Sequence, residues 1–293
     1  MGLQGKILTV DLHIDTPWMF TKHGPFDLAE GAPHSKVSLP KMKEGGLDVA
    51  VFALYLPDYV QDSLGPALSV RKLEEQLSNL RDAPFAVEGA RLLSRDWQWF
   101  TELVGKGLKY ITLVHNRNNI YADSAMDRPY HNGLSCLGHS LVKECEKHGV
   151  LVDISHSSDQ TCEAVLEVTE QPVIASHSGC SSVTSHARNL TDSLIESIAK
   201  SGGVVGVPFA RNFVGSDRCG IVDHIAHLVK IAGVEHVAIG SDLDGARMVD
   251  GIEDVSGWGS IVIDGLRERG FKREDVMAIG GGNAARLLNI ANS

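Results

Sequence analysis

Several things that would mark this chain for a membrane, a nucleic acid or an oxidising compartment are missing from its sequence. Its five cysteines (Cys136, Cys145, Cys162, Cys180 and Cys219) are odd in number, and no two of them stand as C-x-x-C. That argues against both a disulfide framework and a thiolate zinc site, and a reducing cytoplasm is the expected setting. There is no Lys/Arg-rich block: 27 basic residues face 37 acidic ones, for a formal net charge of −10. Nucleic acid and anionic membrane surfaces are therefore not expected as partners. No apolar run approaches the ~18 residues of a spanning helix. The N-terminus has no charged segment leading into an apolar one, so no secretory signal is expected. Lys6 stands where a myristoylation motif after Met1-Gly2 needs Ser or Thr. A G-x-G-x-x-G after the first apolar run is also missing, which counts against an open dinucleotide-binding sheet.

What is present is a globular composition, 43% apolar and 22% charged over 293 residues, with enough apolar side chains for a sizeable core. Short β-rich runs alternate with longer amphipathic stretches along the whole length. Strands are expected at 7–10, 47–54, 84–87, 108–114, 150–154, 172–175, 203–207 and 236–240. Helices are expected at 68–80, 96–104, 135–148 (stopped by Gly149), 159–168, 191–200 and 221–231, then at 258–269, 273–279 and 283–289. Gly280-Gly281-Gly282 reads as a turn between the last two. Eight strands separated by helices, without a linker or a shift in composition, predict an α/β fold, a single (β/α)8 TIM-type barrel over residues 1–293.

In such barrels the chemistry sits where strands end. The first expected strand leads into Asp11-Leu12-His13-Ile14-Asp15-Thr16-Pro17. With a period of two, His13 and Asp15 would point to the same side. The third strand ends at Glu88, the fourth at His115, the fifth at His156 and the sixth at His177. The eighth ends at Asp242, with Asp244 close behind. A single histidine after a strand is ordinarily a loop or core residue held by one hydrogen bond. A concentration of imidazoles and carboxylates on one rim points instead to a metal centre. Nitrogen and oxygen donors without sulfur suit Zn²⁺, Mn²⁺, Co²⁺ or Fe²⁺. Two such groups with a carboxylate between them fit a two-metal hydrolytic centre in which Glu88 could bridge and a shared water is activated. His224 and His227, on an outer helix, read as surface; His23, His34, His131, His139, His148, His186 and His236 read as structural.

At this point the motifs resemble a known family, the membrane dipeptidase (renal dipeptidase-like) metallopeptidases among the amidohydrolase-type barrels. Asp11 to Pro17 is similar to the family's D-x-H-x-D-x-P opening. Glu88-Gly89, Thr112-Leu113-Val114-His115 with Ala122-Asp123-Ser124, Asp153-Ile154-Ser155-His156 and Ser176-His177-Ser178 follow in the family's order. His186-Ala187-Arg188-Asn189, Ile239 to Gly245 and Gly282-Asn283 complete the set. The resemblance implies a binuclear site, usually of zinc. His13 and Asp15 would bind one ion, His156 and His177 the other, and Glu88 both. It also implies that His115 holds the scissile carbonyl oxygen, that Arg188 clamps the substrate's terminal carboxylate, and that Asp242 carries a proton from the bridging water to the leaving amine.

Two departures stand out. Gly89 is followed by Ala90-Arg91 where the family usually has Gly-His, and the stretch between the second and third strands is short, leaving room for a loop and one helix. Trp18 and Tyr55 are candidate pocket walls. The expected activity is hydrolysis of dipeptides, a small-molecule substrate, by a cytoplasmic enzyme; a homodimer is the protein partner the reading admits. The alternatives are a barrel hydrolase of another small amide, lactone or N-acyl amino acid, and a metal-binding barrel without turnover.

Overall fold

The computed structural model describes residues 8–95 and 97–290. Ile7, where the first strand was expected to begin, and Asp96, the first residue of the helix expected at 96–104, lie outside them, as do Met1, Gly2 and Lys6. Eight strands form a closed, wholly parallel barrel in sequence order: β1 (Val10–Ile14), β2 (Val49–Leu54), β3 (Phe85–Glu88), β4 (Tyr110–Thr112), β5 (Leu151–Asp153), β6 (Ile174–Ala175), β7 (Val204–Val207) and β8 (Val237–Ile239). The ring closes where Asp11 of β1 pairs with Ile239 of β8. This is the (β/α)8 barrel the alternating pattern predicts.

Strand alternation sorts the side chains into two cores. One residue set faces outward and packs under the helices, among them Phe52, Leu54, Val87, Ile111, Val152, Val205 and Ile239. The intervening residues Val51, Ala86, Tyr110, Leu151, Ile174, Val204 and Ala238 face inward and meet Ala284, Ala285 and Leu288 of the C-terminal helix, which floors the barrel. One step further up each strand, the same inward phase brings Glu88, Thr112, Asp153 and Ser176 towards the mouth. In β7 and β8 that level is filled by Gly206 and Gly240, whose Cβ atoms would fall 2.0 and 1.9 Å from the Ser176 carbonyl oxygen. Only glycine lets those strands come so close to β6.

β1 breaks the alternation. Val10 and Leu12 line the inner core, yet Ile14 packs in the outer one. A register irregularity with β2 between Asp11 and Ile14 accounts for the change of phase.

Three other differences from the sequence reading have local causes. The helix expected at 68–80 is Pro66–Ser78, because Pro66 supplies a preset first turn. A second short helix, Asp58–Leu64, precedes it, so the shortened β2–β3 stretch holds two helices where one was expected. At the glycines 280–282 the chain does break, in a kink and not a separate loop: Gly281 leaves helical geometry between Arg273–Met277 and Asn283–Leu288. There a Cβ on Gly281 would meet the Leu8 carbonyl oxygen at 2.2 Å, so glycine is what lets the helix cross under β1. Elsewhere the local signals hold. Ser135 accepts from the Gly138 amide to start helix Cys136–His148, and Gly149 ends it in the left-handed conformation.

Candidate active site

The strand-end residues gather at the carboxyl mouth of the barrel around one oxygen, Oε1 of Glu88. His156 Nε2 lies 3.0 Å from it, His177 Nε2 3.6 Å and His13 Nε2 3.7 Å. Asp15 Oδ1 is 3.7 Å from His13 Nε2, and the Nε2 atoms of His156 and His177 are 2.9 Å apart. All five side chains are buried. They form two groups with the geometry to hold a metal ion, His13–Asp15–Glu88 and Glu88–His156–His177, which share the glutamate. A third grouping, His13–Asp153–His177, is geometrically close. The Asp153 carboxylate is already taken, however, by the Ser155 and Ser176 amides and the Thr112 and Ser176 hydroxyls.

Hydrogen bonds on the far side of each ring decide what the histidines present to the centre. His13 Nδ1 is 2.8 Å from the Tyr110 hydroxyl, whose proton goes to the Leu12 carbonyl at 2.7 Å; the ring must therefore donate from Nδ1. His177 Nδ1 is 2.8 Å from Ser176 Oγ, which spends its own proton on Asp153 at 2.7 Å. His156 Nδ1 faces the amide oxygen of Asn116 at 3.2 Å. Each ring thus carries its proton on Nδ1 and turns an Nε2 lone pair inward. Two lone pairs held 2.9 Å apart repel unless a cation lies between them. Further, His13 Nε2 and Asp15 Oδ1 are buried without any hydrogen-bond partner among the described residues. The donor set therefore fits divalent metal, with nitrogen and oxygen ligands and no sulfur.

Burial pulls His156 and His177 well below the ordinary histidine range, so both stay neutral. Burial, followed by repulsion from Glu88, raises the Asp15 carboxyl; burial, followed by repulsion from Asp15, raises that of Asp242 well above its usual range. Asp242 caps the mouth in a left-handed conformation (φ 64°), with its amide bonded to the His13 carbonyl at 3.0 Å. His156 is also left-handed (φ 69°). Such backbone costs about 1–2 kcal/mol for a residue other than glycine; Arg81, Asn132, Asp244 and Asn289 adopt it too, outside the cluster.

Two further residues flank the cluster, His115 just past β4 and Arg188 in the loop between β6 and helix Asp192–Lys200. The His115 ring lies 4.3 Å from that of His156, and burial pulls it down to about 4, so it is neutral near pH 7. Arg188 is 4% exposed, with Nη2 3.5 Å from the His177 carbonyl and the guanidinium 5.3 Å over the Phe213 ring. Its Nε has no partner, and no carboxylate lies within ion-pair distance of it among the described residues. Burial lowers it to about 10, against the pull of Asp242 and Glu88.

Every residue singled out from the sequence as ligand or reactive group is therefore at this mouth. Asp244 is not part of it: its carboxylate accepts from the Thr16 and Ser35 hydroxyls and the Lys36 amide, tying loops together. His224 corrects its surface reading, being fully buried and bridging the Cys180 amide and the Thr184 hydroxyl. Trp18 and Tyr55 meet edge to face at 6.4 Å beside His115. The sequence reading missed Tyr110, Asn116, Ser176, Asp153 and Asp11. Asp11 accepts from the His13 and Ser241 amides and from the Trp258 indole. Asp11, Asp153 and Ser176 stand inside the quoted motifs, one to three residues from a histidine, and that spacing was the available signal.

Comparison with known proteins identifies the family. The sequence profile of the membrane dipeptidase family (peptidase family M19) matches residues 2–84 and 74–293, two segments that meet in the short β2–β3 stretch. Dipeptidase verJ of Clonostachys rogersoniana is 36% identical over 234 residues, 78% of this chain and 60% of that protein, so the chain spans less than two thirds of this relative. A dipeptidase of Schizosaccharomyces pombe is 32% identical over 333 aligned positions, covering 95% of this chain and 79% of that one. The alignment is longer than the chain itself, so that relative carries insertions. Among solved structures, a metallopeptidase of Rhodobacter sphaeroides, liganded with a phosphinate mimic of the dipeptide L-Ala-D-Ala, has the same fold. Its TM-score is 0.83 at 23% identity, with 97% of this chain and 99% of that one covered. The chain belongs to the membrane dipeptidase family, peptidase family M19, a family of metallopeptidases that hydrolyse peptide bonds.

Proposed function

We propose that this protein is a binuclear metal-dependent dipeptidase, with zinc as the expected metal. Its substrates are dipeptides that carry a free terminal carboxylate. One observation supports this most directly: a cluster of inward lone pairs around Glu88 stands beside a buried arginine with no anionic partner. A buried cation without an anion is costly, and a substrate carboxylate supplies the missing charge in the bidentate geometry that a guanidinium favours. That a related enzyme accommodates a dipeptide mimic agrees with this assignment.

In this reading His13 and Asp15 hold one ion, His156 and His177 the other, and Glu88 both. When bound, the ions lower the pKa of a shared water towards neutrality and polarise the scissile carbonyl. Arg188 anchors the carboxylate and so sets which carbonyl faces the centre. His115, neutral and buried, donates a hydrogen bond to the carbonyl oxygen as negative charge grows on it. Asp242, whose carboxyl is raised by burial and by Asp15, accepts the proton of the attacking water on a carboxylate oxygen. It then delivers that proton to the departing amine nitrogen.

The test is turnover of a panel of L,L- and L,D-dipeptides by metal-reconstituted wild type and Arg188→Ala, alongside the same compounds amidated at the C-terminus. Loss of the clamp is expected to reduce kcat/KM for free dipeptides by at least about 100-fold, while barely changing the slow hydrolysis of the amides. Equal losses on both, or no dipeptide turnover by wild type, would overturn the assignment.

A further inference from the structure

Of the four histidines around the centre, three turn a lone pair towards it and the fourth is set the other way. His115 Nδ1 lies 3.3 Å from the hydroxyl of Tyr55, the two rings tilted with centroids 4.7 Å apart. That hydroxyl has no other partner among the described residues, and burial pushes the phenol far above its ordinary range, so it keeps its proton and has only this ring nitrogen to give it to. A neutral imidazole carries a single proton. If Nδ1 accepts from Tyr55, the proton of His115 is on Nε2. The contact is long for a hydrogen bond, as catalytic contacts commonly are before substrate tightens them.

Tyr55 is itself gripped. Its amide donates to Gln76 Oε1 at 3.1 Å and its carbonyl accepts from Gln76 Nε2 at 2.8 Å. The same Nε2 donates to Thr21 Oγ1 at 2.9 Å. Gln76 is 1% exposed, on the inner face of helix Pro66–Ser78. A single buried side-chain amide thus satisfies both backbone groups of the residue just past the end of β2. A tyrosine serving only as pocket wall requires neither the grip nor a hydroxyl aimed at a ring nitrogen.

We propose that Tyr55, fixed by Gln76, is a positioning residue that holds His115 as its Nε2–H tautomer, so that the ring donates to the developing oxyanion. The inference rests on the role given to His115 above. The opposite tautomer would turn a lone pair towards growing negative charge, reversing the sign of the contribution.

The test combines nitrogen-15 NMR of histidine-labelled, zinc-reconstituted protein with kinetics of Tyr55→Phe, using His115→Gln to assign the resonance. Wild type is expected to show the His115 proton on Nε2. Tyr55→Phe is expected to show it on Nδ1 or exchanging between the two nitrogens. With dipeptide, kcat of the variant should fall at least about tenfold, with KM and metal content within about twofold of wild type. Gln76→Leu, which loosens the grip and leaves the hydroxyl, should shift the tautomer balance in the same direction. A proton on Nδ1 in wild type, or a Tyr55→Phe protein with unchanged tautomer or unchanged kcat, would overturn the proposal. The tautomer readout needs no turnover. A protein inert towards dipeptides but with the expected NMR pattern would refute the assigned reaction and still support Tyr55 as the residue that sets the ring.

Discussion

Asp153 and Ser176 are joined twice: one carboxylate oxygen accepts from the serine amide at 2.8 Å and the other from its hydroxyl at 2.7 Å. The double bond of contacts ties β5 to β6 and leaves Ser176 Oγ able only to accept from His177 Nδ1. Ser176→Ala is therefore expected to free the His177 ring and lower metal affinity about 10- to 100-fold, the usual effect of losing a ligand's orienting partner. Competition with a chromophoric chelator measures it. Wild-type affinity would mean the serine only staples the strands.

Asp242→Asn keeps the shape of the side chain and removes its ability to take a proton. Turnover is expected to drop by at least about 100-fold, as for loss of a general base, with metal content measured on the same sample unchanged. Loss of metal together with activity would assign Asp242 to ligation instead.

Metal removal should bring out a pH dependence of stability whose sign follows from the buried groups. Asp15 and Asp242 have folded-state pKa values raised above their unfolded ones, so in the metal-free protein their contribution is lost as pH rises above about 4. His156 and His177 are lowered, so theirs is lost as pH falls below about 6.5. The two effects oppose one another at mildly acid pH; above neutrality the carboxylate penalty remains, and His13, whose folded-state pKa is raised well above its ordinary value, loses its contribution there too. Added zinc offsets that penalty, and proton competition for its ligands fades over the same range. The rise in Tm on adding zinc to chelator-treated protein should therefore be larger at pH 8 than at pH 6. At 1,000 times Kd the gain is about 4 kcal/mol. A gain independent of pH would contradict the buried-ligand account.

Asp244 lies two residues from Asp242, yet its carboxylate holds Thr16, Ser35 and Lys36. Asp244→Ala should leave those donors unmatched and cost about 1–3 kcal/mol of stability, a drop in Tm of about 2–4 °C per kcal/mol. Metal content is expected to be retained. Thermal unfolding followed by metal analysis separates this from a catalytic role.

Much of the site was legible because barrel topology turns a one-dimensional cue into a three-dimensional one. An apolar run followed by His or a carboxylate puts that residue at the mouth, and Glu88, His115, His156 and His177 obey the cue directly. What stayed hidden depended on contacts between distant segments. Tyr110 reads as one more apolar residue of a strand, and its role as acceptor for His13, 97 positions away, appears only when β1 and β4 face each other across the barrel. The change of phase in β1 is likewise invisible in a sequence whose alternation looks ordinary. The break at 280–282 was legible from three consecutive glycines, but its compact form, a kink without a loop, was not. Here the close crossing beneath β1 requires the absent side chain at Gly281.

That crossing has a consequence for what the protein can process. With Ala284, Ala285 and Leu288 packed against the inward residues of the strands, the barrel is a well with a sealed floor. Whatever reaches Glu88 enters by the mouth, and both halves of a cleaved molecule leave the way they came. In the proposed function, with Arg188 holding one terminus inside, a well of this kind acts as a length gauge on what can bind.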